Sequence, residues 1–357
     1  MRILEILLSV LLLFGFLGFF WPKQKRHTVM IGLSALTLLT LIIHIGLEGY
    51  RWQMVLAYFL TIILFGLGLL EMKSKCQCQQ NSSIFKKIIK VASVLLSVIL
   101  LIINTVLCII LPVPILSKPT GSYLVGNTTL HITDTSRQET FSENSAHYRE
   151  LLVKIWYPAN PDAKSTHGTY REHSKIVNPL TAESLGMPSF FLDHISLIQS
   201  NSYVNAPIAE KEPKYPVIIF SCGYGSLVEE QTLYMEELAS HGYIVASLGH
   251  PYECVAVVYP DGKVILQSKS LEKEFKDSVQ KSKPNWEKYF KSTDLTLRES
   301  IARQILQQEL LLDKILRIRA ADVKCVVDEL DKINSGNISH FLTGKLDLSK
   351  LGIFGHS

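Results

Sequence analysis

Four long apolar runs crowd the first third of this 357-residue chain, and they restrict its fold more than any other feature. They extend from Ile3 to Trp21, Thr28 to Leu47, Met54 to Leu70 and Val91 to Leu116. Each approaches or exceeds the roughly 17–25 residues a helix needs to cross a bilayer. Only helices cross in this way, because lipid offers no partner for an open backbone group. The first run lacks a preceding basic cluster and a small-residue cleavage site, and Trp21-Pro22-Lys23 follows it directly. It therefore reads as a retained helix and not as a secretory signal. A hydrophobic content of 47% and a mean hydropathy of +0.21 agree with a membrane segment joined to a polar domain.

Basic residues set the expected orientation. The first loop carries Lys23, Lys25 and Arg26, and the third carries Lys73, Lys75, Lys86, Lys87 and Lys90. The short middle loop has only Arg51. The positive-inside rule puts the first and third loops in the cytoplasm, so everything after Leu116 is expected on the extracytoplasmic side. Residues 1–116 are thus expected to be a multi-pass integral membrane anchor in contact with the lipid bilayer. His44 and Asn104 fall within the runs, where single polar groups usually bond a neighbouring helix. No charged pair falls within the runs, which argues against a transporter. The net charge of +4 is modest, and the basic residues form no patch interleaved with aromatics, so nucleic acid is not an expected partner. The six cysteines are scattered, and Cys76-Gln-Cys78 lacks the spacer of a zinc or redox pair. No disulfide framework follows from them.

Pro112, Pro114 and Pro119 break the last helix and stiffen the exit from the membrane. Beyond them, Tyr123 to Thr133 and Arg149 to Tyr157 read as strands. Residues 159–214 are polar and irregular around an apolar patch, Pro188 to Ile198, that fits either a lid or a surface loop. Pro216 to Phe220 is a short continuous apolar strand of the kind buried on both faces of a parallel sheet. It leads into Ser221-Cys-Gly-Tyr-Gly-Ser226, a helix from Val228 to His241 with Leu233 and Leu238 on one face, and a second buried strand, Tyr243 to Leu248. Strand, glycine loop, helix and strand make a βαβ unit. A hairpin is expected around Pro260-Asp261-Gly262, a charged amphipathic segment from Leu271 to Lys291, and one long helical pattern from Leu295 to Leu330. The chain closes on an apolar run, Leu351 to Phe354, expected as a buried strand, and then Gly355-His356-Ser357. That tripeptide is the first half of a Gly-x-Ser-x-Gly nucleophile elbow, in which a serine sits on a strained strand-to-helix turn.

Several of these motifs together, in this order, resemble the platelet-activating factor acetylhydrolase family, the lipoprotein-associated phospholipase A2 type of α/β-hydrolase. They are Pro216 to Ser226, Thr232-Leu-Tyr234, Leu238 to Val245 and Leu346 to Ser357, with Arg149 to Pro158 and the segment from Asp322 to Leu330 also similar. The resemblance implies an α/β-hydrolase domain over residues 117–357, present in its N-terminal part. It implies that Ser357 is the nucleophile forming an acyl-enzyme on a short-chain or phospholipid-like ester, with no cofactor and no metal. It further implies that the backbone N–H of Tyr224 is one oxyanion donor, and that Gly223, Gly225, Gly355 and His356 support the loops around it. The family's loop usually reads His-Gly-x-Gly; Cys222-Gly-Tyr-Gly225 departs at the first position. In α/β-hydrolases the acid and the histidine follow the serine, so both are expected beyond Ser357. His241, His250 and His356 are expected to support loops. Two other readings accompany this one: a general carboxylesterase or polyester hydrolase on the same scaffold, and a membrane binding or sensor protein that keeps a catalytically dead hydrolase fold.

Overall fold

A computed structural model describes residues 1–73, 84–142 and 147–356. Cys76, Cys78, Lys75 and Ser357 lie outside the described residues. The chain divides into two compact units.

The first unit joins residues 1–115 with 188–198. It is built on α1 (Ile3–Leu17), α2 (Lys23–Leu47), α3 (Val55–Lys73) and α4 (Ile84–Ile110). All four helices are long and apolar enough to cross a membrane. Leu8, Leu12, Met30, Met54, Leu60 and Leu64 fill the space between them. The outer faces remain apolar, with Leu39, Ile62, Ile102 and Ile109 exposed. Water would penalise such a surface, whereas hydrocarbon accepts it. Several polar groups inside the bundle are paired across elements. Nε2 of His44 lies 2.9 Å from the Tyr58 hydroxyl, and Asn104 Oδ1 accepts the Ala57 N–H at 3.2 Å. Glu5 and Arg51, both fully buried, form an ion pair at 2.7 Å. The Pro188–Ile198 patch contains a 3₁₀ stretch, Ser189–Leu197. Within the same unit, Phe190 and Phe191 pack on the Trp52 ring at 5.2 and 5.8 Å between centroids.

The second unit covers residues 116–187 and 199–357. Its seven-stranded sheet comprises β1 (Leu124–Gln138), β2 (Tyr148–Ala159), β3 (His167–Thr169), β4 (Gln199–Val204), β5 (Tyr215–Ser221), β6 (Ile244–Gly249) and β9 (Leu346–Gly355), in the spatial order β3-β4-β1-β2-β6-β5-β9. β1 and β2 run antiparallel and β2 meets β6 antiparallel, while β6, β5 and β9 are mutually parallel neighbours. Side chains alternate across the central strand because successive Cβ atoms point to opposite faces. Leu151, Val153, Ile155 and Tyr157 share one core with Val326, Leu330 and Ile333 of α9 (Leu310–Asn334). Leu152 and Trp156 share the other with Met235 and Ala239 of α6 (Thr232–Ser240). Helices on both faces explain why β2, β5 and β6 read as nearly continuous apolar runs. α5 (Ser174–Ser184), the hairpin of β7 (Ala256–Val258) and β8 (Val264–Leu266), α7 (Lys269–Lys291) and α8 (Leu295–Gln308) complete the unit.

Four sequence expectations need correction. Residues 159–214, read as irregular, hold β3, α5 and β4, and β4 pairs with β1 and β3 in the sheet. The pattern from Leu295 to Leu330 is two helices, α8 and α9, with Glu309 between them in a non-helical conformation (φ −96°, ψ 51°). The Glu309 carboxylate accepts the Trp286 indole N–H at 3.1 Å, a bond that fixes the break. The helix expected from Val228 begins only at Thr232, which turns Leu233 outward and presents Met235, Glu236 and Ala239 to the interior. Glu236 is tolerated there because its carboxylate accepts N–H bonds from Asn201 and Ser202. Finally, β9 is not a buried strand. It is the last strand in the sheet order, hydrogen-bonded only to β5 among the described residues, and Ile353 and Phe354 are 60% and 39% exposed. An apolar run reports what a strand would bury, not whether a neighbour covers it.

Candidate functional site

The parallel strands β5, β6 and β9 end side by side, and their carboxyl ends carry the residues singled out in the sequence. In open α/β sheets this is the edge where ligands bind. The register pairs Ser221 with Gly355, and the His356 N–H donates to the Ser221 carbonyl at 3.1 Å. The β5 glycine loop and the end of β9 are thereby fixed to each other. Gly355 is needed at this approach: a Cβ there would stand 3.2 Å from the Ser221 carbonyl oxygen.

The loop itself is a tight turn. The Ser226 N–H donates to the Gly223 carbonyl at 3.2 Å, and Gly225 adopts φ +69°, a left-handed conformation that favours glycine. The amides on either side of Tyr224 are occupied. Gly223 N–H donates to Glu230 Oε1 at 2.8 Å and Gly225 N–H to the Glu253 carbonyl at 2.9 Å. Among the described residues the Tyr224 N–H makes no hydrogen bond. Its ring stacks on Phe275 of α7 at 4.4 Å, and burial pushes its phenol up to about 12, so the side chain stays neutral. The Tyr224 ring is thus anchored, and its amide is unpaired among the described residues.

His356 folds back over this loop. Its Nδ1 lies 3.3 Å from Glu230 Oε2, and a Cβ on Gly223 would stand 2.8 Å from the same nitrogen. The structure therefore brings Gly223, Tyr224, Gly225, Gly355 and His356 together. Ser357, expected as the nucleophile, lies outside the described residues. His241 stands apart, bonded to Glu237 and Thr120.

Beneath the loop is a polar network whose linkage the sequence gave no direct sign of. The Ser221 hydroxyl is 2.9 Å from His250 Nε2, and His250 Nδ1 is 2.9 Å from Asp322 Oδ2. Asp322 also receives Arg149 Nη2 at 2.7 Å and Arg137 Nη1 at 3.0 Å. Arg149 in turn binds Glu139 at 2.9 Å, and Arg319 binds Glu253 at 2.6 Å and the Cys222 carbonyl at 2.8 Å. Burial alone would raise the Asp322 pKa. The hydrogen bond from His250 and the charge of Arg149 reverse this and hold the carboxylate well below its ordinary range. An ionised Asp322 can only accept, so Nδ1 of His250 donates to it.

Serine, histidine and aspartate stand here in the order of a catalytic triad. His250 and Asp322 are nevertheless fully buried, and two guanidinium groups already claim the carboxylate. The network links the end of β5, the turn after β6 and α9 beneath the loop. Its only sequence signal was the coincidence of Arg149, His250 and Asp322 in otherwise apolar segments, and sequence spacing does not reveal that the three meet. Among the described residues no group of three or more His, Cys, Asp and Glu side chains is placed to hold a metal ion.

Comparisons with known proteins bear on the same part of the chain. The family model for platelet-activating factor acetylhydrolase, isoform II, matches residues 114–357. The platelet-activating factor acetylhydrolase of Cavia porcellus is 29% identical over 244 residues, which is 67% of this chain and 49% of that protein. The chain therefore spans about half the length of this curated relative. Among solved structures, a ferulic acid esterase from Streptomyces cinnamoneus aligns with a TM-score of 0.47 and 24% identity, over 69% of this chain and 56% of that one.

Proposed function

The chain belongs to the platelet-activating factor acetylhydrolase, isoform II, family and has its α/β-hydrolase fold, and from that premise we propose that it is a membrane-anchored serine ester hydrolase. Its substrate is an ester of phospholipid type, from which it releases a short acyl chain. Ser357 gives its hydroxyl proton to a histidine acting as general base and attacks the ester carbonyl, whose π electrons move onto oxygen. The Tyr224 N–H then donates to that oxygen as its charge develops. Collapse of the tetrahedral adduct expels the lyso-lipid alkoxide, which must be protonated by a histidine acting as general acid. Water then releases the acyl group by the same steps in reverse order.

The observation that carries this reading is the Tyr224 amide, unpaired among the described residues and held beside the carboxyl end of β9 by the pairing of Ser221 with Gly355. An amide fixed in advance costs no reorganisation when charge appears, and loss of one such donor typically costs about 10²–10³ in rate. We do not assign His250 and Asp322 as base and acid, since Arg149 and Arg137 already bind the Asp322 carboxylate. The four apolar helices support anchoring, and the basic loops support an extracytoplasmic hydrolase unit. Anchoring suits an amphiphilic substrate that partitions into the same bilayer.

The test is active-site labelling. In the protein as expressed from its gene, a fluorophosphonate probe should label one serine, and Ser357→Ala should abolish the label. Labelling that survives this substitution moves the nucleophile elsewhere. No labelling of a folded wild-type protein would favour a binding protein on a dead hydrolase fold.

A further inference from the structure

Cys222 follows β5 directly, and Cys254 lies in the turn after β6. Their sulfurs are 3.4 Å apart across a sequence separation of 32 residues, and both side chains are fully buried. The backbone around them is laced together. The Glu253 carbonyl accepts the Gly225 N–H at 2.9 Å, and the Ser226 carbonyl accepts the Val255 N–H at 3.1 Å. Arg319 spans both segments, through the Cys222 carbonyl and the Glu253 carboxylate. The two sulfurs therefore face each other between segments already bonded on either side. A disulfide bond is about 2.05 Å long, so closing the gap takes roughly 1.3 Å of movement shared by two side chains.

We propose that Cys222 and Cys254 are a disulfide-forming pair that ties the glycine loop to the turn after β6. The oxidant is a disulfide, either a small molecule or an oxidoreductase. One protein thiolate attacks a sulfur of the oxidant and expels its other sulfur as a thiolate. The second protein thiolate then attacks the protein sulfur of the mixed disulfide and releases the remaining thiolate. Two protein thiols lose two protons and two electrons, and the oxidant leaves as two thiols. In the folded reduced protein this exchange is slow. The hydrogen bond with Cys222 and burial hold the Cys254 thiol well above its ordinary pKa, and no oxidant reaches it. The bond accordingly forms while the chain folds, before Trp156, Val228 and Met235 close over the pair. The bond itself follows from the sulfur geometry. Its effect on catalysis rests on the reading of Tyr224 as an oxyanion donor.

The experiment refolds the protein from denaturant in oxidised glutathione, traps remaining thiols by alkylation, and maps the digest by mass spectrometry. The expected result is a peptide pair joined through Cys222 and Cys254, with Cys325 alkylated. The unfolding midpoint should lie about 5–10 °C above that of the reduced protein. Alkylation of both Cys222 and Cys254 after oxidative refolding, or linkage of either to another cysteine, overturns the proposal. The rate of fluorophosphonate labelling, read on the same samples, should fall severalfold on reduction. If the linked pair is found but labelling ignores reduction, the disulfide stands and the catalytic role of the loop falls. Because the map is made on the wild-type protein, it does not depend on whether Cys222→Ser folds.

Discussion

The Ser221 hydroxyl lies 2.9 Å from Nε2 of the fully buried His250, at the point where β5 gives way to the glycine loop. The same serine accepts the His356 N–H through its carbonyl. One residue thus connects the buried charge network to the end of β9. His250→Ala would strip Asp322 and Ser221 of a partner at once and leave a cavity. It should destabilise the protein by about 2–4 kcal/mol, measured by thermal unfolding in mild detergent. A folded His250 variant should still be labelled at Ser357 by a fluorophosphonate, because we do not assign His250 as the base. Loss of labelling without loss of folding would make His250 catalytic.

Acid should unfold this protein partly through Asp322. The folded-state pKa of Asp322 lies below the value of about 3.9 expected in an unfolded chain. The unfolded state therefore binds the proton first as pH falls. The stabilisation is complete above about pH 5 and is lost progressively as pH drops toward the folded-state pKa. Asp134 and Glu150, also shifted down, act in the same direction. Asp322→Asn should flatten the acid side of the stability profile. At pH 7 it should cost about 3–5 kcal/mol, since it weakens the compensation of the buried Arg149 charge. An unchanged acid slope in this variant would argue against the ion pairs.

The glycine loop can be tested with a single methyl group. Gly223→Ala places a Cβ 2.8 Å from His356 Nδ1, so either the loop or the end of β9 must shift. Ester turnover should fall severalfold, because the His356 ring turns away from the loop and from Glu230. The change in unfolding midpoint should be small, because His356 is largely exposed and can yield. Wild-type turnover in Gly223→Ala would show that this approach does not matter.

Orientation has a chemical readout. Ala163 is exposed in the second unit, so Ala163→Cys in a Cys325→Ser background should react with an impermeant maleimide on intact cells. Cys76 and Cys78, in the loop assigned to the cytoplasm, should react only after permeabilisation. The opposite pattern would invert the topology.

Local pattern was enough to find the βαβ unit, the glycine turn and the four membrane-length helices. Apolar periodicity and the φ > 0 requirement at Gly225 are properties of a few adjacent residues, and the chain states them directly. Boundaries were less legible where a distant partner decided them. Glu309 breaks a helical pattern because Trp286 binds its carboxylate, and Leu233 faces outward because α6 starts late. The sequence by itself determined the βαβ unit, the membrane-length helices and that Gly355-His356-Ser357 follows a strand. Only the tertiary structure decided that Ser221, His250, Asp322 and Arg149 meet, and that two distant cysteines face each other. Those meetings join residues up to 173 positions apart. They are set by the crossover connections of the sheet and the packing of α9, a long-range geometry that side-chain type and spacing do not encode.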